Sequence, residues 1–142
     1  MNAFRDHFSD LAALYARARP DYPAALYAWL SEKAPGRALA VDVGCGSGQA
    51  THGLAPHFDQ VIGTDASGEQ IDRAQPAGPV RFEVAPAEAC PVDDGTVDLL
   101  TAAQAAHWFD HDAFQPEAHR VLRPGGLLAF WTYELLRIEP AI

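Results

Sequence analysis

The run Val41-Asp42-Val43-Gly44-Cys45-Gly46-Ser47-Gly48 decides how this chain is read, because an apolar stretch carrying a carboxylate passes straight into a loop with glycine at alternate positions. Glycine has no Cβ, so such a loop adopts positive φ and lets a ligand lie against the backbone. Upstream, Leu39 to Val43 has the continuous apolar character of a buried strand, and downstream Ala50 to His57 opens a helix. Strand, glycine turn and helix in that order are the context of a nucleotide site.

Spacing narrows the ligand. The dinucleotide pattern G-x-G-x-x-G needs its third glycine at position 49, which is Gln49, whereas the glycine falls one place early at Gly48. That disfavours a pyrophosphate cradle. A second run, Val61-Ile62-Gly63-Thr64-Asp65, ends in a carboxylate nineteen residues beyond Gly46, the place for an acceptor of ribose hydroxyls. The expected ligand therefore contains a nucleoside.

Asp42-Val43-Gly44-Cys45-Gly46-Ser47-Gly48 followed by Asp65 resembles the class I S-adenosylmethionine-dependent methyltransferases, whose first motif is D/E-x-G-x-G-x-G. Ala87-Glu88 ahead of Pro91-Val92-Asp93-Asp94-Gly95 is similar to the family's adenine-side loop, Val97 to Leu100 to its fourth strand, and Arg123-Pro124-Gly125-Gly126-Leu127-Leu128 to its turn into the fifth. Ala103 to Phe109 and the Y-x-x-x-R-P-x-Y-P segment from Tyr15 to Pro23 resemble the methyltransferase type 11 and trans-aconitate methyltransferase-like branch.

The 142 residues, 49% hydrophobic and 20% charged, suffice for one globular domain, with residues 1–36 expected as a helical cap and 37–142 as the cofactor-binding core. Ten Lys and Arg against 19 Asp and Glu give a net charge of −9, which opposes attraction to nucleic acid and mildly favours a cationic ligand. No signal core or spanning apolar run is seen in the sequence, so no membrane partner and a cytoplasmic location are expected. Cys45 and Cys90 read as two reduced small residues, and no metal-ligand spacing is present.

Along the chain, Ser9 or Asp10 is suited to cap a first helix ending at Pro20, and Pro23 lies in the first turn of a second whose apolar face is Leu26, Trp29 and Leu30. Ser67 and Gln70 fit a capping box. Val80, Phe82 and Val84 alternate with Arg81 and Glu83, the pattern of a half-exposed strand near a sheet edge. Asp110 or Asp112 is suited to cap the helix after strand four, where Pro116 is awkward unless it falls in the first turn. Leu127 to Thr132 reads as strand five.

Strands alternating with helices predict an α/β, Rossmann-like three-layer sandwich with a mainly parallel sheet in the order 3-2-1-4-5 and a crevice between strands one and four. Against the resemblance, the chain lacks the sixth and seventh strands, as a truncated or minimal form would. The apolar edge Leu127 to Trp131 then invites pairing with a second copy, a homodimer.

The resemblance implies methyl transfer from S-adenosylmethionine to a small-molecule acceptor. In that reading Gly44, Cys45, Gly46 and Gly48 line the methionyl and ribose side, Asp42 engages the amino group directly or through water, Asp65 holds the ribose, and Ala66, Ala87 and Glu88 border adenine. Gln104 lies past strand four, facing the same crevice. Arg19 is placed to hold the cofactor carboxylate while Tyr15 or Tyr22 covers the sulfonium, against a reading of Arg17 and Arg19 as surface charge. His107 is the candidate general base, with a packed, hydrogen-bonded histidine as the alternative. Glu88 likewise either meets adenine or is simply solvated. Two rival functions stand beside this one: a non-catalytic cofactor-binding or assembly fragment, and an NAD-dependent oxidoreductase.

Overall fold

A computed structural model describes residues 23–103 and 110–131. The cap segment before Pro23, with Tyr15, Arg17, Arg19 and Tyr22, lies outside the described residues, as do Gln104, His107 and the chain beyond Trp131. The described elements are α1 (Ala24–Lys33), β1 (Leu39–Val43), α2 (Gln49–Leu54) with a 3-10 turn (Ala55–His57), β2 (Gln60–Asp65), α3 (Gly68–Arg73), β3 (Val80–Val84), β4 (Val97–Ala103), α4 (His111–Val121) and β5 (Leu122–Trp131). All strand pairs are parallel and the sheet order is β3-β2-β1-β4-β5, as the alternating pattern predicts.

The central strands are apolar on both faces because helices cover both. Val41, Val43, Leu100 and Ala102 join Phe114, Ala118 and Val121 of α4 on one face. Ala40, Val61 and Leu99 join Tyr27 and Leu30 of α1 and Ala50 and Leu54 of α2 on the other. Leu54, Ile62, Leu99, Leu100 and Phe114 are almost completely withdrawn from solvent, and each such side chain contributes roughly 2 kcal/mol to the driving force for folding.

Local rules set the helix starts. The Ser67 hydroxyl accepts from Gln70 N at 3.3 Å and the Asp110 carboxylate from Ala113 N at 3.2 Å, each satisfying a first-turn amide that has no intrahelical partner. Ser67→Ala is expected to lower stability by about 1 kcal/mol without moving the sheet, a change that urea denaturation resolves.

Four expectations are corrected. Trp29 is 53% exposed, with the Lys33 ammonium 5.9 Å from its ring centroid, and Tyr27 takes the buried place on α1. Val84, the last residue of the edge strand β3, is 58% exposed. Pro116 is the sixth residue of α4 and still continues it, since the carbonyl deprived of a donor belongs to exposed Asp112. Finally, β5 begins at Leu122 rather than Leu127: Val97 pairs with Leu122 and Leu99 with Leu127, so the intervening Arg123-Pro124-Gly125-Gly126 bulges out, with Gly125 at φ 80°.

Candidate functional site

The glycine loop leaves the carboxyl end of β1, the central strand, beside the carboxyl end of β2. Gly44, Gly46 and Gly48 have φ of 63°, 58° and 100°, a region costly for residues with a Cβ. Cys45 N donates to Thr64 O at 2.8 Å and Gly48 N to Cys45 O at 3.0 Å, which curls the loop over β2. The glycines have different neighbours. A Cβ on Gly46 would meet no atom of the described residues within 4 Å, whereas one on Gly48 would lie 2.5 Å from Phe82 Cζ.

Asp65 is the joint of the site. Its Oδ2 accepts from Gly46 N and its Oδ1 from Ser67 N, both at 2.9 Å, so the carboxylate is fixed between the loop and the start of α3. An ionised carboxylate has about four lone-pair sites. Two are filled among the described residues, and those remaining on a half-exposed side chain can accept further hydrogen bonds.

Asp42 is different. It is fully buried, in register with Thr101 of β4, whose hydroxyl donates to Oδ1 at 3.0 Å, while Thr51 of α2 donates to Oδ2 at 2.8 Å. Gly63 makes room for this contact, since a Cβ there would stand 2.9 Å from Thr51 Oγ1 and 2.7 Å from the Phe82 ring. Burial pushes the Asp42 carboxyl up to about 6, opposed by the two hydroxyls and reinforced by Asp65. Cys45 is pushed up to about 12 by burial and then by Asp42 and Asp65, which keeps it a neutral thiol.

At Asp42 the folded state holds an extra proton between the ordinary value of 3.8 and about 6. The contribution of Asp42 to stability is therefore greatest in acid and is lost as pH rises through about 6. Replacing it with uncharged, similarly shaped Asn removes that loss. The stability of Asp42→Asn relative to the parent is expected to rise by on the order of 2 kcal/mol from pH 4.5 to pH 7.5, measured by urea denaturation across pH.

On the β3 side, Ala85 N donates to Asp65 O at 3.0 Å and directs the chain past the same crevice. Ala66 is exposed beside Asp65, while Ala87 is buried in the apolar cluster with Phe114. Glu88 is neither free nor merely solvated: its Oε1 accepts from Asp110 N at 3.0 Å, tying the loop to the start of α4. Asp42, Gly44, Cys45, Gly46, Gly48, Asp65, Ala66, Ala87 and Glu88 thus all lie at the carboxyl end of the sheet. Sequence reasoning missed Thr51, Thr101, Phe82 and Gly63. Thr101 had a visible signal, being a polar residue inside the apolar run Val97 to Ala103, and buried hydroxyls need partners.

The family description "methyltransferase domain" matches residues 41–130, from the first glycine-loop strand to β5. A protein of Dictyostelium discoideum assigned to the methyltransferases is 41% identical over 136 residues, covering 95% of this chain and 52% of that protein. Trans-aconitate 2-methyltransferase of Variovorax paradoxus is 37% identical over 99 residues, 67% of this chain and 38% of the enzyme. The structure of a protein from Anaeromyxobacter dehalogenans assigned as a type II methyltransferase superposes with a TM-score of 0.79 at 49% identity, covering 85% of this chain and 52% of that one. The chain spans about half the length of the curated relative from Dictyostelium. A glycine loop bonded to the Asp65 carboxylate on a 3-2-1-4-5 sheet, with these matches across it, places the chain in the class I methyltransferase family.

Proposed function

We propose that this chain binds S-adenosylmethionine in the crevice at the carboxyl ends of β1, β2 and β4, and supports methyl transfer to a small-molecule acceptor. The observation that carries the reading is the Gly46 to Asp65 contact: one carboxylate both shapes the loop and keeps acceptor sites for a ribose, while among the described residues no atom fills the space beside Gly46. Bound S-adenosylmethionine supplies a methyl group already activated by positive sulfur. The protein's part is to align and to exclude water. Asp65 holds the ribose, Gly44, Cys45, Gly46 and Gly48 border the methionyl side, and Asp42, whose carboxylate Thr51 and Thr101 hold, acts on the amino group through water. Ala66, Ala87 and Glu88 form the adenine side. Tyr15, Arg19, Tyr22 and Gln104 belong to this proposal on sequence grounds, as does His107 as proton acceptor.

Similarity to a trans-aconitate methyltransferase favours a carboxylate acceptor. The chain is tested with S-adenosylmethionine labelled in the methyl group and a panel of small polycarboxylic acids. A labelled ester that releases volatile methanol in alkali is the expected product. Cofactor binding with no label transferred to any acceptor would reduce the reading to a binding fragment.

The outer edge of β5 is proposed as a homodimer contact, since among the described residues only β4 pairs with β5, and Phe130 of that strand is 45% exposed. Sedimentation should show a dimer that Phe130→Lys converts to monomer. A monomeric parent chain would dismiss that contact.

A further inference from the structure

The segment between β3 and β4 has almost no regular structure, yet its polar backbone is held by one pair of side chains on α4. Arg120 Nη2 donates to Cys90 O at 3.0 Å, and Nη1 donates to Val92 O at 2.9 Å and to Asp94 Oδ1 at 2.7 Å. Its Nε and Nη2 also donate to the two oxygens of Glu117, whose Oε2 accepts from Cys90 N at 2.6 Å. Gly95 N donates to Arg120 O at 2.8 Å, and Glu88 meets Asp110 N at the other end of the helix. Loop and helix therefore run side by side as one unit, pinned near positions 88, 90, 92 and 95. Glu117 is only 9% exposed, and Arg120 keeps its carboxyl below the usual carboxylate range. A planar guanidinium is suited to serve two carbonyls and two carboxylates together, which an ammonium is not.

We propose that Glu117 and Arg120 are positioning residues that set the base selectivity of the nucleoside pocket, by fixing the Ala85–Glu88 wall against Asp65. The proposal rests on the cofactor reading above. Neither residue contacts the crevice glycines; their effect runs through the loop. The wall begins at Ala85, bonded to Asp65 O, and ends at Glu88, so a shift of the Cys90 anchor moves the surface that faces a base next to the ribose carboxylate.

The test measures dissociation constants of S-adenosylhomocysteine and S-inosylhomocysteine, identical except at the base, for the parent chain and for Arg120→Lys, Arg120→Ala and Glu117→Gln. Circular dichroism and thermal melting accompany each titration. The parent should favour the adenine ligand by about tenfold, and the variants should lose that preference, since one hydrogen bond to the base from a correctly placed wall is worth up to about a factor of ten. A purely structural brace would lower the melting temperature and weaken both ligands equally, leaving their ratio intact. That outcome overturns the proposal, as does a parent chain that binds both ligands equally. Loss of the fold in all three variants also overturns it. Binding of neither ligand by the folded parent would instead bring down the cofactor reading itself.

Discussion

Asp65→Ala is expected to weaken S-adenosylhomocysteine binding by about 100-fold or more while the chain remains folded. Two hydrogen bonds from ribose to a charged acceptor are lost, each worth roughly 1.5 to 3 kcal/mol. Some loop order is lost with them, because Gly46 N and Ser67 N are left without their acceptor. Asp65→Asn separates the two effects. It preserves shape and one acceptor but removes the charge, so its loss should fall between parent and Ala. Calorimetric titration of both variants, alongside far-ultraviolet circular dichroism, checks the order. Equal affinity in the parent and Asp65→Ala would show that this carboxylate does not touch the nucleoside.

The largest expected loss of stability lies at the opposite pole of the sheet. Asp98 is fully buried in β4, with Oδ2 accepting from Ala38 N at 2.9 Å and Leu39 N at 3.1 Å, and Oδ1 facing Arg123 Nη1 at 3.1 Å. It joins the entry into β1 to the β5 bulge. Asp98→Ala deprives two amides and a guanidinium of their acceptor and is expected to cost about 3 kcal/mol or more. Gly36 provides an internal check, since a Cβ there would lie 2.8 Å from Asp98 Oδ1. Gly36→Ala should be destabilising in the parent and much less so beside Asp98→Ala, a coupling that a double-mutant cycle in urea reads directly. Additive effects would mean that the glycine is needed only for the backbone.

The architecture was legible because β1, β2 and β4 are short apolar runs separated by turn residues, and alternation with helices leaves few ways to connect them. Asp65 was legible for a similar reason, since the length of the β1–α2–β2 unit fixes where the second carboxylate emerges. Where sequence failed, the cause was three-dimensional. Trp29 has a helical spacing that suits burial, but Tyr27 occupies the covered side of α1. Glu88 was read beside adenine or as solvated, and no local spacing showed that its Oε1 also accepts from Asp110 N, twenty-two residues away. Glu117 and Arg120 look like ordinary solvated helix charges until the β3–β4 loop is laid beside them. The alternating pattern of β3 was silent about its end, where Val84 closes the edge strand exposed. In the bulge of β5, Pro124 and Gly125 mark a break in sequence while the ladder resumes across it.

The most direct test of the central claim is calorimetric titration of the parent chain with S-adenosylmethionine, S-adenosylhomocysteine and NAD. Saturable binding of the two sulfur ligands and none of NAD is the predicted result, with Gly46 and Asp65 as the binding joint. Binding of NAD without the sulfur ligands, or of none of the three by a folded chain, would contradict it.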